Sequence, residues 1–145
     1  MDYLDTLSRF AAELDYASLP PAVREQTSWV LADTLASIVG GSAEPELRAL
    51  AGRLGTPGPA TLIGLGGSGS ADVAALINGT AGTFLEMDEG NRFSRGHPAV
   101  HVIPAALALC EANGASAEVF MAAVLVGDNG GDVDFSEFEY FWNTW

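Results

Sequence analysis

Between Asn78 and Pro104 the chain reads NGTAGTFLEMDEGNRFSRGHPAVHVIP, gathering Glu86, Asp88, Glu89, Arg92, Arg95 and both histidines, His97 and His101. A carboxylate and an imidazole near each other can exchange protons at neutral pH, and arginines beside them can hold an anionic substrate. The same residue types also describe a solvated loop in which Arg92 and Arg95 neutralise Glu86, Asp88 and Glu89. A third chemistry is metal binding. His97 and His101 stand four residues apart, a spacing that puts two imidazoles on one helical face, where nearby carboxylates could complete a zinc site. Pro98 disfavours helix at His97, and His101, between Val100 and Val102, reads as a core histidine. No metal is expected. The position of the cluster favours proton transfer, because it lies between two very apolar segments that can form the walls of a pocket.

Those segments must be helices. Residues 71–85 are rich in Ala, Gly and Thr, a composition suited to a helix buried on most sides, although Asn78-Gly79 lowers its intrinsic propensity. The helix after the cluster is clearest from Pro104, a good first-turn residue, to Asn113, with Gly114 as its stop. Ser116 then caps a last apolar helix over Ala117 to Val126.

Upstream, Leu4, Leu7, Phe10, Ala11 and Leu14 form one face of a first helix over residues 2–15. Pro21 opens a second, whose stripe of Val23, Thr27, Val30, Leu31, Thr34, Leu35 and Ile38 ends at Gly40-Gly41. A third runs from Pro45 to Leu54. Residues 60–64, ATLIG, are the one convincing strand. The run GLGGSG at 64–69 fits G-x-G-x-x-G, the turn that admits a pyrophosphate to a helix N-terminus in dinucleotide folds. Three helices precede it, however, and no second strand with a ribose-binding acid follows, so it reads as a flexible loop. The expected fold is all-α, an antiparallel helical bundle with one short β segment.

Composition narrows the function. A formal charge of −13 with no lysine and six arginines opposes nucleic acid or an anionic membrane as a partner. No apolar run approaches the roughly 18–20 residues that cross a bilayer, and no signal peptide is visible, so a soluble, cytoplasmic protein is expected. Cys110, alone in an apolar run, reads as a core residue. From Asp128 the character changes: DNGGDVDFSEFEYFWNTW carries five acids, no base and six aromatics. This tail is expected to be disordered or loosely collapsed.

The runs AALINGTAGTFLEMDEG, GHP and VIPAALALCE, with LADTLA (31–36) and ATLIG (60–64), resemble the MmgE/PrpD family. The family includes 2-methylcitrate dehydratase, cis-aconitate decarboxylase and iminodisuccinate epimerase, and the resemblance spans about residues 2–127. It implies a helical domain over residues 1–127, with residues 128–145 outside the pattern. It further implies cofactor-free lyase or isomerase chemistry beside a carboxylate of a di- or tricarboxylic acid, and a homodimer. The family's acidic motif commonly reads Asp-aromatic-Asp-Asp-Thr. Glu86 to Gly90 stand in its place, one residue farther from the histidine than in some members. Glu86 keeps the active-site acid, Gly90 loses the threonine hydroxyl, and His97 matches the histidine of the family's His-Pro pair. Glu86 and His97 are therefore the expected catalytic residues, and Asp88, Glu89, Arg92 and Arg95 the expected substrate-binding ones. After LeuValGly (125–127) members usually continue with Tyr-Glu and later supply a lysine and further histidines. Their lack of counterparts here implies a fragment of a full member, inactive alone. The alternative is a non-catalytic interaction module whose aromatic tail docks in a partner's groove.

Overall fold

The computed structural model describes residues 3–91 and 95–130. Arg92 and the tail from Gly131 onward lie outside the described residues. Six α-helices and one two-stranded hairpin are described: α1 (Tyr3–Glu13), α2 (Pro21–Ser42), α3 (Pro45–Leu54), β1 (Ala60–Leu62), β2 (Gly67–Gly69), α4 (Ala71–Phe84), α5 (Pro98–Asn113) and α6 (Ala117–Gly130). A short 3-10 turn, Tyr16–Ser18, joins α1 to α2. The all-α expectation holds, with the β content larger by one strand.

α4 is the central helix, packed between α2 and α5 and touched by α3 and the hairpin. Its small residues explain the arrangement. Ala74, Ile77, Asn78, Ala81 and Gly82 are buried, while Leu76 and Phe84 remain exposed on the remaining face. Ile38, Leu47 and Ala81 join α2, α3 and α4. Ala60, Leu62, Ala74, Ile77 and Ala108 join the hairpin, α4 and α5. Ala99, Ile103 and Val124 join α5 to α6, with Val30 and Leu31 of α2 against them. The stripe expected on α2 is therefore the packed one. On the α1 stripe Leu4 is 63% exposed, and Leu14, just past the helix, packs against Leu19, Val23 and Leu125.

Among the differences from the sequence expectation, three have a plain physical reason. Gly40-Gly41 do not end α2, which continues to Ser42. A Cβ on Gly41 would lie 1.9 Å from the carbonyl oxygen of Ala81, so this glycine is required by the closeness of α4. The GLGGSG segment is not a flexible loop. Leu62 pairs with Gly67 and Ala60 with Gly69, and Gly64 and Gly66 turn the chain with φ of 73° and 74°. α5 starts six residues before Pro104, at Pro98, because proline is tolerated in a first turn that needs no N–H there. Pro104 sits buried in the helix interior, where its missing N–H frees the carbonyl of Val100, four residues back. α6 runs on through Gly130. Its cap is as expected, with Ser116 Oγ accepting from Val119 N at 3.3 Å, and Gly114 closes α5 at φ 63°. Cys110 is half-buried. Among the described residues no helix is long and apolar enough to cross a membrane.

Candidate functional site

The loop between α4 and α5 is tied down at both ends and across its middle. Ser37 Oγ of α2 donates to the carbonyl of Met87 at 3.2 Å, a contact between residues fifty apart that no local pattern announces. Asn91 and Gly96 exchange two backbone hydrogen bonds, 2.9 and 3.3 Å, closing the tip into an antiparallel bridge. Glu89 Oε2 accepts from Ala99 N at 3.3 Å, placing a carboxylate on the first turn of α5, where free N–H groups and the helix dipole favour negative charge.

His97 is the residue just before α5, with φ −126° and ψ 68°. Its Nδ1 lies 2.7 Å from the carbonyl oxygen of Glu89 and 3.3 Å from Asp88 Oδ2. A carbonyl oxygen has no proton to give, so Nδ1 donates, and the neutral ring must carry its lone pair on Nε2. The side chain of Asp88 is 4% exposed and that of His97 is 51% exposed. A covered carboxylate thus stands behind a half-exposed imidazole. The hydrogen bond to the Glu89 carbonyl, followed by the charge of Asp88, raises the His97 pKa above its ordinary value; burial opposes this weakly.

The sign of the pH dependence follows. With the folded-state value raised above the unfolded one, the stabilising contacts of His97 are fully present below about pH 6.5. The part of that stability owed to the ring's positive charge is lost as pH rises through the folded value, while the neutral ring keeps its Nδ1–H bond to the Glu89 carbonyl. The Cε1–H resonance of His97 is expected to titrate above the ordinary imidazole range in the folded protein and to move down to that range in urea. Equal midpoints in the two states would contradict the contacts described here.

The remaining expected site residues are placed as follows. Glu86 follows the end of α4 with φ 53° and is exposed, and its carboxylate has no partner among the described residues. Arg95 has φ 54° and is also exposed. A left-handed conformation costs a non-glycine residue roughly 1–2 kcal/mol, so local strain falls on two of the residues singled out by type. Gly90 lies beside the histidine; a Cβ there would stand 3.9 Å from His97 Cε1. Asp88 and Glu89 are turned inward, one onto His97 and the other onto α5. The structure therefore brings Asp88, Glu89 and His97 together and leaves Glu86 and Arg95 facing solvent. Arg92 lies outside the described residues.

His101 stands one turn into α5 and is exposed, so the core placement expected for it is incorrect. Its neighbours Val100 and Ile103 take the buried positions, and the helical repeat turns residue 101 outward. Among the described residues no three histidine, cysteine, aspartate or glutamate side chains converge as a metal-binding group.

The family model of the MmgE/PrpD N-terminal domain matches residues 5–129, which takes in every described helix of the bundle from α2 to α5 and the whole loop carrying His97. No curated protein and no solved structure matches the chain. With a family model covering most of its length, the chain belongs to the MmgE/PrpD family and carries that family's N-terminal domain.

Proposed function

We propose that this chain provides the His97 side of the active site of a MmgE/PrpD-type lyase or isomerase. The reaction would take place beside a carboxylate of a di- or tricarboxylic acid, as in a 2-methylcitrate dehydratase. The observation that carries the reading is the state of His97. Its Nδ1 is engaged by the Glu89 carbonyl and Asp88, which leaves the lone pair of the half-exposed neutral ring on Nε2.

Elimination from such an acid removes a proton from the carbon next to a carboxylate and expels hydroxide from the adjacent carbon. Nε2 is suited to take that proton, and the imidazolium so formed is favoured by the same two contacts that raise its pKa. Arg95 is a cation two residues away that can face a substrate carboxylate, and Glu86 is the candidate acid to protonate the leaving hydroxide as water. Epimerisation would use the same base and the same cation, whereas decarboxylation, which releases CO2 in place of a proton, would use the protonated ring to give a proton to the carbanion left behind. The reading needs no resident cofactor and carries with it a homodimer of the full enzyme in the cytoplasm.

The test is an NMR titration of the 145-residue chain with 2-methylcitrate and with tricarballylate, a non-reacting tricarboxylate. The Cε1–H resonance of His97 is expected to move on addition of either, and that of His101, four residues on and inside α5, to stay. His97→Ala should abolish the response of the neighbouring Arg95 amide. Turnover by the chain alone is expected to be little or none, since the exposed Glu86 has no partner among the described residues to hold it as the acid. Equal movement of His97 and His101, or of neither, would reject the assignment. Dehydration by the chain alone that His97→Ala removes would reject its proposed inactivity.

A further inference from the structure

We infer that Asp88 is the positioning residue of His97, and that it acts through the imidazole instead of contacting substrate. Three observations carry this. The Asp88 side chain is 4% exposed, so a substrate approaching from solvent does not reach it before reaching the ring. Its Oδ2 lies 3.3 Å from the nitrogen that also donates to the Glu89 carbonyl, so both acceptors lie on the Nδ1 edge and fix which nitrogen is protonated. The loop that holds it is anchored on each side, at Met87 by Ser37 and at Glu89 by Ala99. Asp88 therefore has a fixed backbone and a single described ionic partner.

A carboxylate placed this way performs two tasks. It holds the Nδ1–H tautomer, leaving Nε2 as the acceptor, and it offsets the charge of the ring once Nε2 is protonated. Among the described residues the charged groups of this loop near the ring are Asp88 and Glu89, with Arg95 two residues before His97; the first two act on the ring by their charge. Glu89 differs from Asp88 in role. Its backbone carbonyl meets the ring, while its carboxylate is committed to the first turn of α5.

The inference rests on the proposed function only for the direction in which Nε2 is used; the tautomer itself can be tested without substrate. Nitrogen-15 spectra of the imidazoles, recorded across pH, read which nitrogen is protonated. In the unaltered chain His97 is expected as the Nδ1–H tautomer. In Asp88→Asn, its titration midpoint should move to lower pH, since the attracting charge is gone, with the His101 curve unaltered by the substitution. Asp88→Glu should restore part of that movement. An unchanged His97 midpoint in a folded Asp88→Asn chain would overturn the inference. Should that variant fail to fold, the carboxyl carbon of Asp88 in the unaltered chain serves. It is expected to show an inflection at the His97 midpoint, and its absence would overturn the inference equally. Loss of tricarballylate binding with the tautomer intact would count against the proposed function alone.

Discussion

Gly41→Ala is expected to lower the stability of this domain by about 2 kcal/mol, the reverse of what alanine does at an ordinary helical glycine. Alanine in a helix interior is normally favoured by roughly 1 kcal/mol, because glycine loses more backbone entropy on folding. At Gly41 the added Cβ would lie 1.9 Å from the Ala81 carbonyl oxygen and 2.8 Å from its carbon, and both are backbone atoms. No rotamer relieves that contact. α2 and α4 must separate, and the separation loosens Ile38, Leu47 and Ala81 at their junction. It also reaches the site, since Ser37, one turn earlier on α2, holds the Met87 carbonyl at the base of the His97 loop. Thermal melts of Gly41→Ala and Gly52→Ala provide the comparison. Gly52 lies in α3 with nothing within 4 Å of its added Cβ, so its variant should gain roughly 0.5–1 kcal/mol. A fall of about 6–12 °C for the first and a rise of a few degrees for the second are expected. Two variants that shift in the same direction would show that α2 and α4 do not approach as closely as described.

Gly41 also shows where sequence reasoning reaches its limit. A glycine pair after an apolar stripe is the ordinary sign of a helix end, and at Gly114 that reading is right, since the residue takes the left-handed conformation at the end of α5. At Gly40-Gly41 the same residue type is present for the neighbouring helix, and only the tertiary contact distinguishes the two uses. β2 was illegible for a related reason: Gly67-Ser68-Gly69 has no side-chain alternation to reveal a strand, and its register is set by the turn and by β1. The stripe of α2 was readable because burial of a 3.6-residue period leaves its mark at every turn. In the candidate site, residue types identified the loop and His97, whereas the inward turn of Asp88 and Glu89 depends on φ and ψ through an irregular segment. No spacing rule links residues 88 and 97. The exposed position of His101 required the true start of α5, six residues before the helix pattern became clear.

Asn78 carries the second large effect, and it follows from the same hairpin. β1 has β2 on one edge only, and the opposite edge offers backbone groups that a third strand would normally pair. Side chains do this instead. Asn78 of α4, 1% exposed, accepts from Ile63 N at 3.0 Å and donates to the Thr61 carbonyl at 2.9 Å. From α5, Glu111 accepts from both the N–H and the hydroxyl of Thr61 at 2.6 Å. Asn78→Ala leaves the Thr61 carbonyl of β1 and the N–H of Ile63 just after it without partners beside the core formed by Leu62 and Ile77, an expected loss of about 2–4 kcal/mol. Asn78→Asp separates hydrogen bonding from shape. The carboxylate still accepts from Ile63 N, but its second oxygen faces the Thr61 carbonyl, acceptor against acceptor. Only the protonated acid can donate there. Burial and this contact raise the folded-state pKa of such an aspartate above its unfolded value of about 3.9. Its stabilising contribution is therefore complete below that value and is lost as pH rises through the folded one. Chemical denaturation of Asn78→Asp, read against the unaltered chain at each pH, should show a deficit that is largest near neutrality and shrinks toward about pH 5. Asn78→Ala should show a deficit that does not vary with pH, since it introduces no titrating group. If the two variants gave parallel deficits, the amide would be filling space and not pairing the open edge of β1. The hairpin's attachment to α4 would then rest on the apolar contacts of Ala60 and Leu62 with Ala74 and Ile77.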